Sequence, residues 1–335
     1  MFKLRNVGVF ALSLMLTLLC AEVHAVDFKI KGGIYNTNVK AKMERSLSTL
    51  LTEINAAYDN GRKINYNRLG LPADVASSVS LLWDNSQFFC IDDVVAQYCV
   101  KRNNGQYEVR NIPLWLRSKD GKSDEDDYQE AVVKFDTRGN IVDFNLAINT
   151  QLHMKLLSEG LEVKDKYYRE LILDFTERFR TAYNTHSIDF LKDVFSEDAL
   201  IITGRVVTRR TADGIRLPDK LEFTRQTKKE YLGKLEKLFN DDKNKNLIKV
   251  EFDSIEISRH PEPSHDKIYG VTLRQKYRSG TYKDVGYLFL MWDFTDEQKP
   301  KIHVRTWQPD SYKGEKPCLG DFDFDELGEI KKSNL

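Results

Sequence analysis

Gly286-Tyr287-Leu288-Phe289-Leu290-Met291-Trp292-Asp293-Phe294, a short turn, then Ile302-His303-Val304-Arg305-Thr306-Trp307-Gln308-Pro309: these two runs decide the fold. Both are rich in branched and aromatic residues, as strands are, and Thr295 to Lys299 turns one back onto the other. Working outward, Lys267 to Arg278 and Ile248 to Arg259 read as two further strands. Lys228 to Phe239 is amphipathic and helical, and Asp198 to Val207 is a strand. Arg209 to Phe223 reads as a basic, loop-like insertion, and Ile188 to Phe195 as a short helix. Lys164 to Tyr183 is a long helix, with Tyr168, Leu171, Ile172, Phe175, Phe179 and Tyr183 on one stripe. A helix followed by long antiparallel strands predicts a curved sheet wrapped around it, a cone with an interior pocket. Such a cone hosts many activities, so it gives architecture and leaves function open.

The first half has a similar order. Val26 to Asn38 is a polar lead-in. Val39 to Tyr58 is helical, with Met43, Leu47, Leu50, Leu51, Ile54 and Ala57 at three- and four-residue steps. Leu71-Pro72-Ala73-Asp74 opens a shorter helix to Trp83. Phe88 to Lys101 holds a strand, a turn and a second short element. Tyr107 to Arg117 is a strand, and Glu130 to Phe135 with Ile141 to Ile148 is a hairpin. The fold class expected is therefore α+β: two tandem cone-shaped domains, each with helices packed on a curved antiparallel sheet. The boundaries read as 26–150 and 165–310, followed by a tail at 311–335. The repeated element order predicts a structural duplication, and the paired domains are expected to pack on one another within the chain.

Several runs carry a resemblance: Phe190-Leu191-Lys192-Asp193-Val194-Phe195-Ser196-Glu197-Asp198-Ala199-Leu200-Ile201, Tyr269-Gly270-Val271-Thr272-Leu273, Gly286 to Phe294, and His303 to Asp310. They resemble the nuclear transport factor 2-like (NTF2-like) superfamily, which includes ketosteroid isomerases and polyketide-cyclase-like proteins. The resemblance covers 165–310 well and implies an NTF2-like, cystatin-like roll there. It makes 26–150 a divergent repeat of the same fold in element order alone. The whole chain also resembles exported Bacteroidetes proteins of unassigned activity. Ketosteroid isomerases use a carboxylate base and an oxyanion hole of Tyr and protonated Asp. Tyr183, Tyr287 and Asp293 are available types here, but no spacing selects them, so no catalytic residue is assigned.

The N-terminus reads as a sorting signal. Lys3 and Arg5 precede an apolar run, Val7 to Leu19, and Val23-His24-Ala25 places a cleavage site after Ala25. The run is short of the roughly 20 residues a membrane span needs. Acylation at Cys20 is the rival reading, although Leu19 stands where a small residue is usual. The expectation is an exported protein of the periplasm or cell surface, with no transmembrane span after cleavage. The 335 residues carry 51 Lys and Arg against 51 Asp and Glu. That balance gives no field for nucleic acid or an anionic membrane. Cys90, Cys99 and Cys318 survive cleavage; Cys90 and Cys99 read as small buried hydrophobes, with a bridge as the alternative.

The last strand holds the candidate ligand-binding residues. Alternation puts His303, Arg305 and Trp307 on one face and Ile302, Val304 and Thr306 on the other. A titratable ring, a fixed cation and an aromatic plane suit an anionic or aromatic ligand. A surface or domain interface would carry the same alternation. His260-Pro261-Glu262-Pro263-Ser264-His265-Asp266 has metal-ligand residue types, but zinc needs converging ligands and spacing alone does not fix convergence. It reads as a hairpin loop. Asp124-Glu125-Asp126-Asp127 lacks calcium-loop spacing. Arg205, Arg209, Arg210, Arg216, Lys220 and Arg225 form a basic run, read as solvated. No metal and no cofactor are expected. The function expected is noncatalytic binding of a small molecule or an envelope protein. The alternative is an isomerase, cyclase or dehydratase using the second cone.

Overall fold

The computed structural model describes residues 24–117, 127–149, 153, 163–241, 248–279 and 282–310. Residues 1–23 of the expected sorting signal, the acidic run 124–126, most of the 150–162 connection, the tail and Cys318 lie outside the described residues. The protein is α+β, with helices packed on two six-stranded, largely antiparallel sheets.

In the first half, β1 (Asp27–Gly32) precedes α1 (Thr37–Asp59) and α2 (Ala73–Asn85). Strands β2 (Phe88–Cys90), β3 (Val94–Lys101), β4 (Tyr107–Leu116), β5 (Tyr128–Phe135) and β6 (Ile141–Leu146) follow. Asn36 starts α1, its side chain accepting from the amides of Asn38 and Val39. The predicted stripe from Met43 to Ala57 is fully buried against Val109, Leu114, Val133, Phe135 and Phe144.

The polar lead-in is corrected: it contains β1, parallel to β3. Phe28 and Ile30 alternate inward between Asp27, Lys29 and Lys31. On its other side β1 has no strand partner among the described residues. The amides of Val26, Phe28 and Ile30 instead donate to Thr52 Oγ1 (2.9 Å), Ser48 Oγ (2.9 Å) and Glu44 Oε1 (2.8 Å). Three polar residues four apart on α1 thus satisfy an otherwise open strand edge.

In the second half, α3 (Val163–Asn184) and α4 (Ile188–Val194) precede the hairpin β7 (Phe195–Arg210) and β8 (Arg216–Gln226). Then come α5 (Lys228–Asn240), β9 (Ile248–Arg259), β10 (Ile268–Ser279), β11 (Tyr282–Asp293) and β12 (Lys301–Pro309). The insertion expected at 209–223 is corrected to the β7–β8 turn and most of β8. Its charged residues obscured the period of two, because the residues of 209–223 whose burial is described are exposed or half-buried. The strand order is β8-β7-β12-β11-β10-β9, with β7 parallel to β12.

The duplication expected from element order is also corrected. In the first half the strand before the helices pairs with β3, the opening strand of the meander. In the second, the hairpin pairs with β12, the closing strand. The halves share helices followed by a meander but differ in connectivity.

Helix α3 is covered on two sides. Tyr168, Ile172, Phe175, Phe179 and Tyr183 enter the core of the second sheet with Leu288, Leu290, Trp292 and Ile302. The other side carries Glu170, Asp174, Glu177 and Thr181, again at helical steps, and meets the first sheet. Arg102 Nη1 and Nη2 donate to the two Asp174 oxygens at 3.0 and 3.1 Å. Lys134 lies 2.8 Å from Asp174, and Arg110 binds Glu177. The amides of Ile148 and Leu146 donate to Glu177 Oε1 (2.8 Å) and Thr181 Oγ1 (3.1 Å). Cys90 and Cys99 are free and buried, and burial pushes each thiol up to about 11.

Candidate functional site

A β-bulge in β12 sets the site. Val304 pairs with Met291 and Ile302 with Trp292, so His303 is an extra residue in the ladder. The bulge breaks the alternation expected from 302 to 307. Ile302 turns into the core beneath the sheet, while Val304 joins Phe289, Met291 and Leu200 on the outer face. Arg305 and Trp307 face inward, paired with Leu290 and Leu288. The expectation that His303 shares their face is therefore corrected. Its imidazole lies 3.3 Å from Asp293 and 3.7 Å from Asp198, outside the lining of the cavity. Burial tends to raise the Asp293 carboxyl, but hydrogen bonds from His303 and Thr295 hold it well below the usual carboxylate range.

Arg305 and Trp307 line a cavity of about 350 Å³ between the end of α3, α5 and the sheet. Leu235 and Leu238 of α5 supply its apolar side, and Gln226, Gln275, Lys234 and Asp284 its polar groups. Helix α5 is fixed where it enters by a capping box between Thr227 and Glu230. That places Tyr231 one turn in, under the Arg305 guanidinium, whose central carbon lies 4.9 Å from the ring centroid. Tyr231 hydroxyl in turn bonds Tyr183 hydroxyl.

Arg305 is 7% exposed, yet its Nε and Nη1 have no hydrogen-bond partner among the described residues. A buried guanidinium cannot shed its proton, and unmade bonds to a charged group are costly. Arg305 thus lines the cavity beside an aromatic plane, with both of these nitrogens themselves buried from solvent. Trp307 keeps its position because residue 286 is glycine: a Cβ there would lie 2.6 Å from the indole and 2.3 Å from the Gln308 carbonyl.

Asp284 lies across the same cavity. Burial pushes its carboxyl up, against the opposing effects of the Tyr282 hydroxyl and the Arg305 charge. Its Oδ2 accepts from Tyr282 at 2.7 Å, and its Oδ1 has no partner among the described residues. Burial likewise pushes the Tyr277 hydroxyl up to about 12. Of the residues singled out from sequence, Arg305 and Trp307 line this cavity; Tyr231, Tyr277 and Asp284 line it too and were not singled out. Tyr231 had a readable signal, lying four residues before Leu235 on the apolar stripe of an amphipathic helix. Asp284 had none, since one acid in a strand marks no site.

No family model matches the chain, and no curated protein does. Among solved structures, it is similar to an NTF2-like protein from Cytophaga hutchinsonii, at 15% identity and TM-score 0.29, over 42% of this chain and 97% of that one. An NTF-2 like protein of unknown function from Shewanella oneidensis matches at 16% identity and TM-score 0.30, over 41% and 96%. A putative scytalone dehydratase from Novosphingobium aromaticivorans matches at 11% identity and TM-score 0.30, over 48% and 93%. Likenesses of this size give no activity, ligand or residue role.

Proposed function

We propose that the second half of this chain binds a small molecule with an anionic group beside an apolar or aromatic body. One observation carries the reading: Arg305, a buried cation whose Nε and Nη1 have no partner among the described residues, lines a cavity walled by Trp307, Tyr277 and Leu235, so a small side-chain shift would bring those donors to an anion. A carboxylate would accept from the planar guanidinium, and the apolar body would lie on the ring faces. The proposal includes export to the envelope, resting on Lys3, Arg5, the Val7 to Leu19 run and Val23-His24-Ala25.

Calorimetric titration with 1-naphthoate and with its neutral amide tests this. The carboxylate should bind more tightly. Equal affinity, or no binding of either, contradicts the reading.

A second reading rests on Asp284. A cavity carboxyl raised by burial is the type of group that moves protons in an isomerase or dehydratase. Exchange of an α-proton of a cyclic ketone into deuterated water, lost in Asp284→Asn, would favour this over simple binding.

A further inference from the structure

The turn between β9 and β10 gathers three metal-ligating side chains that the sequence alone left apart. The donor atoms of His260, Glu262 and His265 all lie within 4.8 Å of one another. We infer that His260, Glu262 and His265 form a binding site for a divalent transition-metal ion of the zinc class.

Rigidity of the turn is the first argument. His260 closes the ladder, its amide donating to Ile268 carbonyl at 2.9 Å. Pro261 and Pro263 fix two φ angles on either side of Glu262. Residues Pro263–His265 form a 3-10 turn, with His265 amide bonded to Glu262 carbonyl at 3.0 Å. Arg259 Nε ties the far side by donating to Asp266 carbonyl at 3.2 Å. The backbone of the turn is thus held before a metal binds, leaving mainly side-chain rotation for it to fix.

Donor chemistry is the second. The Glu262 amide donates to His260 Nδ1 at 3.2 Å, so that nitrogen carries no proton, and a metal bound there would displace the amide from its lone pair. His265 Nδ1 lies 3.0 Å from Glu262 Oε2, and the two imidazole centroids are 4.6 Å apart. Donors on a tetrahedral zinc are ~3.4 Å apart, from bonds of about 2.0–2.2 Å. The half-exposed His265 and exposed Glu262 can rotate to close the difference, while His260 is held at the strand end. Two imidazoles and one carboxylate suit zinc over calcium or magnesium, which prefer oxygen alone. Three protein ligands leave a further coordination position for water or another ligand.

The site is separate from the cavity. It sits where β10 begins, at Ile268, whereas Gln275 and Tyr277 of the same strand line the cavity. The inference therefore stands or falls independently of the proposed ligand.

The full chain, stripped with a chelator, is titrated with Zn²⁺ by calorimetry and with Co²⁺ by visible absorption. The expected result is one equivalent bound, with d–d bands of low coordination number, and no displacement by Ca²⁺ or Mg²⁺. His265→Ala and Glu262→Gln should each weaken Zn²⁺ by at least about tenfold, since losing even a group that merely orients a ligand costs that much. Both positions are on the loop surface, and thermal unfolding in chelator reports that each variant is folded. Absence of stoichiometric Zn²⁺ binding, or unchanged affinity in both folded variants, overturns the inference. So does loss of binding in His303→Gln with retention in His265→Ala, which would move the metal to His303 and its acids.

Discussion

Arg102 and Asp174 join the two halves of the chain through a two-pronged bond, 3.0 and 3.1 Å, from the end of the first sheet to the middle of helix α3. Their side chains are 5% and 14% exposed, so both charges are largely withdrawn from water. Such pairs are poor sources of net stability but costly to break, because one charge is left behind. Arg102 keeps Glu108 and Glu170, and Lys134 keeps Asp143. Asp174→Ala should therefore lower the unfolding free energy by less than the roughly 3–5 kcal/mol of a fully stranded charge. Urea unfolding of the variant checks this, and a loss within error of zero would mean that water already reaches the pair.

The same cluster predicts acid lability. His153 Nε2 lies 3.8 Å from Glu108 Oε1. Burial, aided by the Arg110 charge, pushes the imidazole from 6.5 down to about 4. The unfolded chain thus takes up a proton that the folded one refuses. Stability from this group is complete above pH 6.5 and is lost as pH falls through about 4. Glu108 behaves as a paired acid: burial works against its charge, but Arg102 and Arg110 hold it at about 2, so its contribution is lost between 4.5 and about 2. His153→Gln should flatten the upper segment and leave the lower. Urea midpoints at pH 7 and pH 5 decide it, and an unchanged slope in the variant contradicts the assignment.

Strand β1 depends on α1 for its open edge. Ser48→Ala removes the acceptor of the Phe28 amide without disturbing the apolar core. The expected cost is about 1–3 kcal/mol, that of a buried donor left unpaired. Hydrogen exchange at the Phe28 amide should accelerate in step, and unchanged protection there would remove the account.

Much of the architecture is readable because hydrophobic pattern tracks burial. The α1 stripe follows from one-sided burial, whereas β11 and β12, buried on both faces, read as continuous runs of branched and aromatic residues. Reading fails where that premise fails. Lys29 and Lys31 masked the Phe28–Ile30 alternation, and the residues of 209–223 whose burial is described are exposed or half-buried, so they create none. The acids of α3 form a stripe as regular as its apolar one, yet a polar stripe ordinarily faces water, and only the basic residues opposite reveal that this one is buried. In β12 the residues were found but not their common face: period two cannot foresee a bulge, and His303 is displaced from Arg305 and Trp307 by that single extra residue.

The Trp307 indole occupies the space that a side chain at Gly286 would need. Gly286→Ala should displace the indole and cost about 1–3 kcal/mol, the usual penalty of overpacking. Near-ultraviolet circular dichroism should change with it. A variant of native stability and spectrum would show that the indole is free to move.

The central claim is that Arg305 anchors an anion inside the second half. Calorimetry with 1-naphthoate on the native chain, Arg305→Ala and Arg305→Lys tests it most directly, with each variant first shown to unfold cooperatively. The account predicts that Arg305→Ala loses about 1.5–3 kcal/mol of binding free energy, the range for a hydrogen bond to a charged group. Arg305→Lys should recover little, because an ammonium lacks the planar fork. Native affinity in folded Arg305→Ala would contradict the claim.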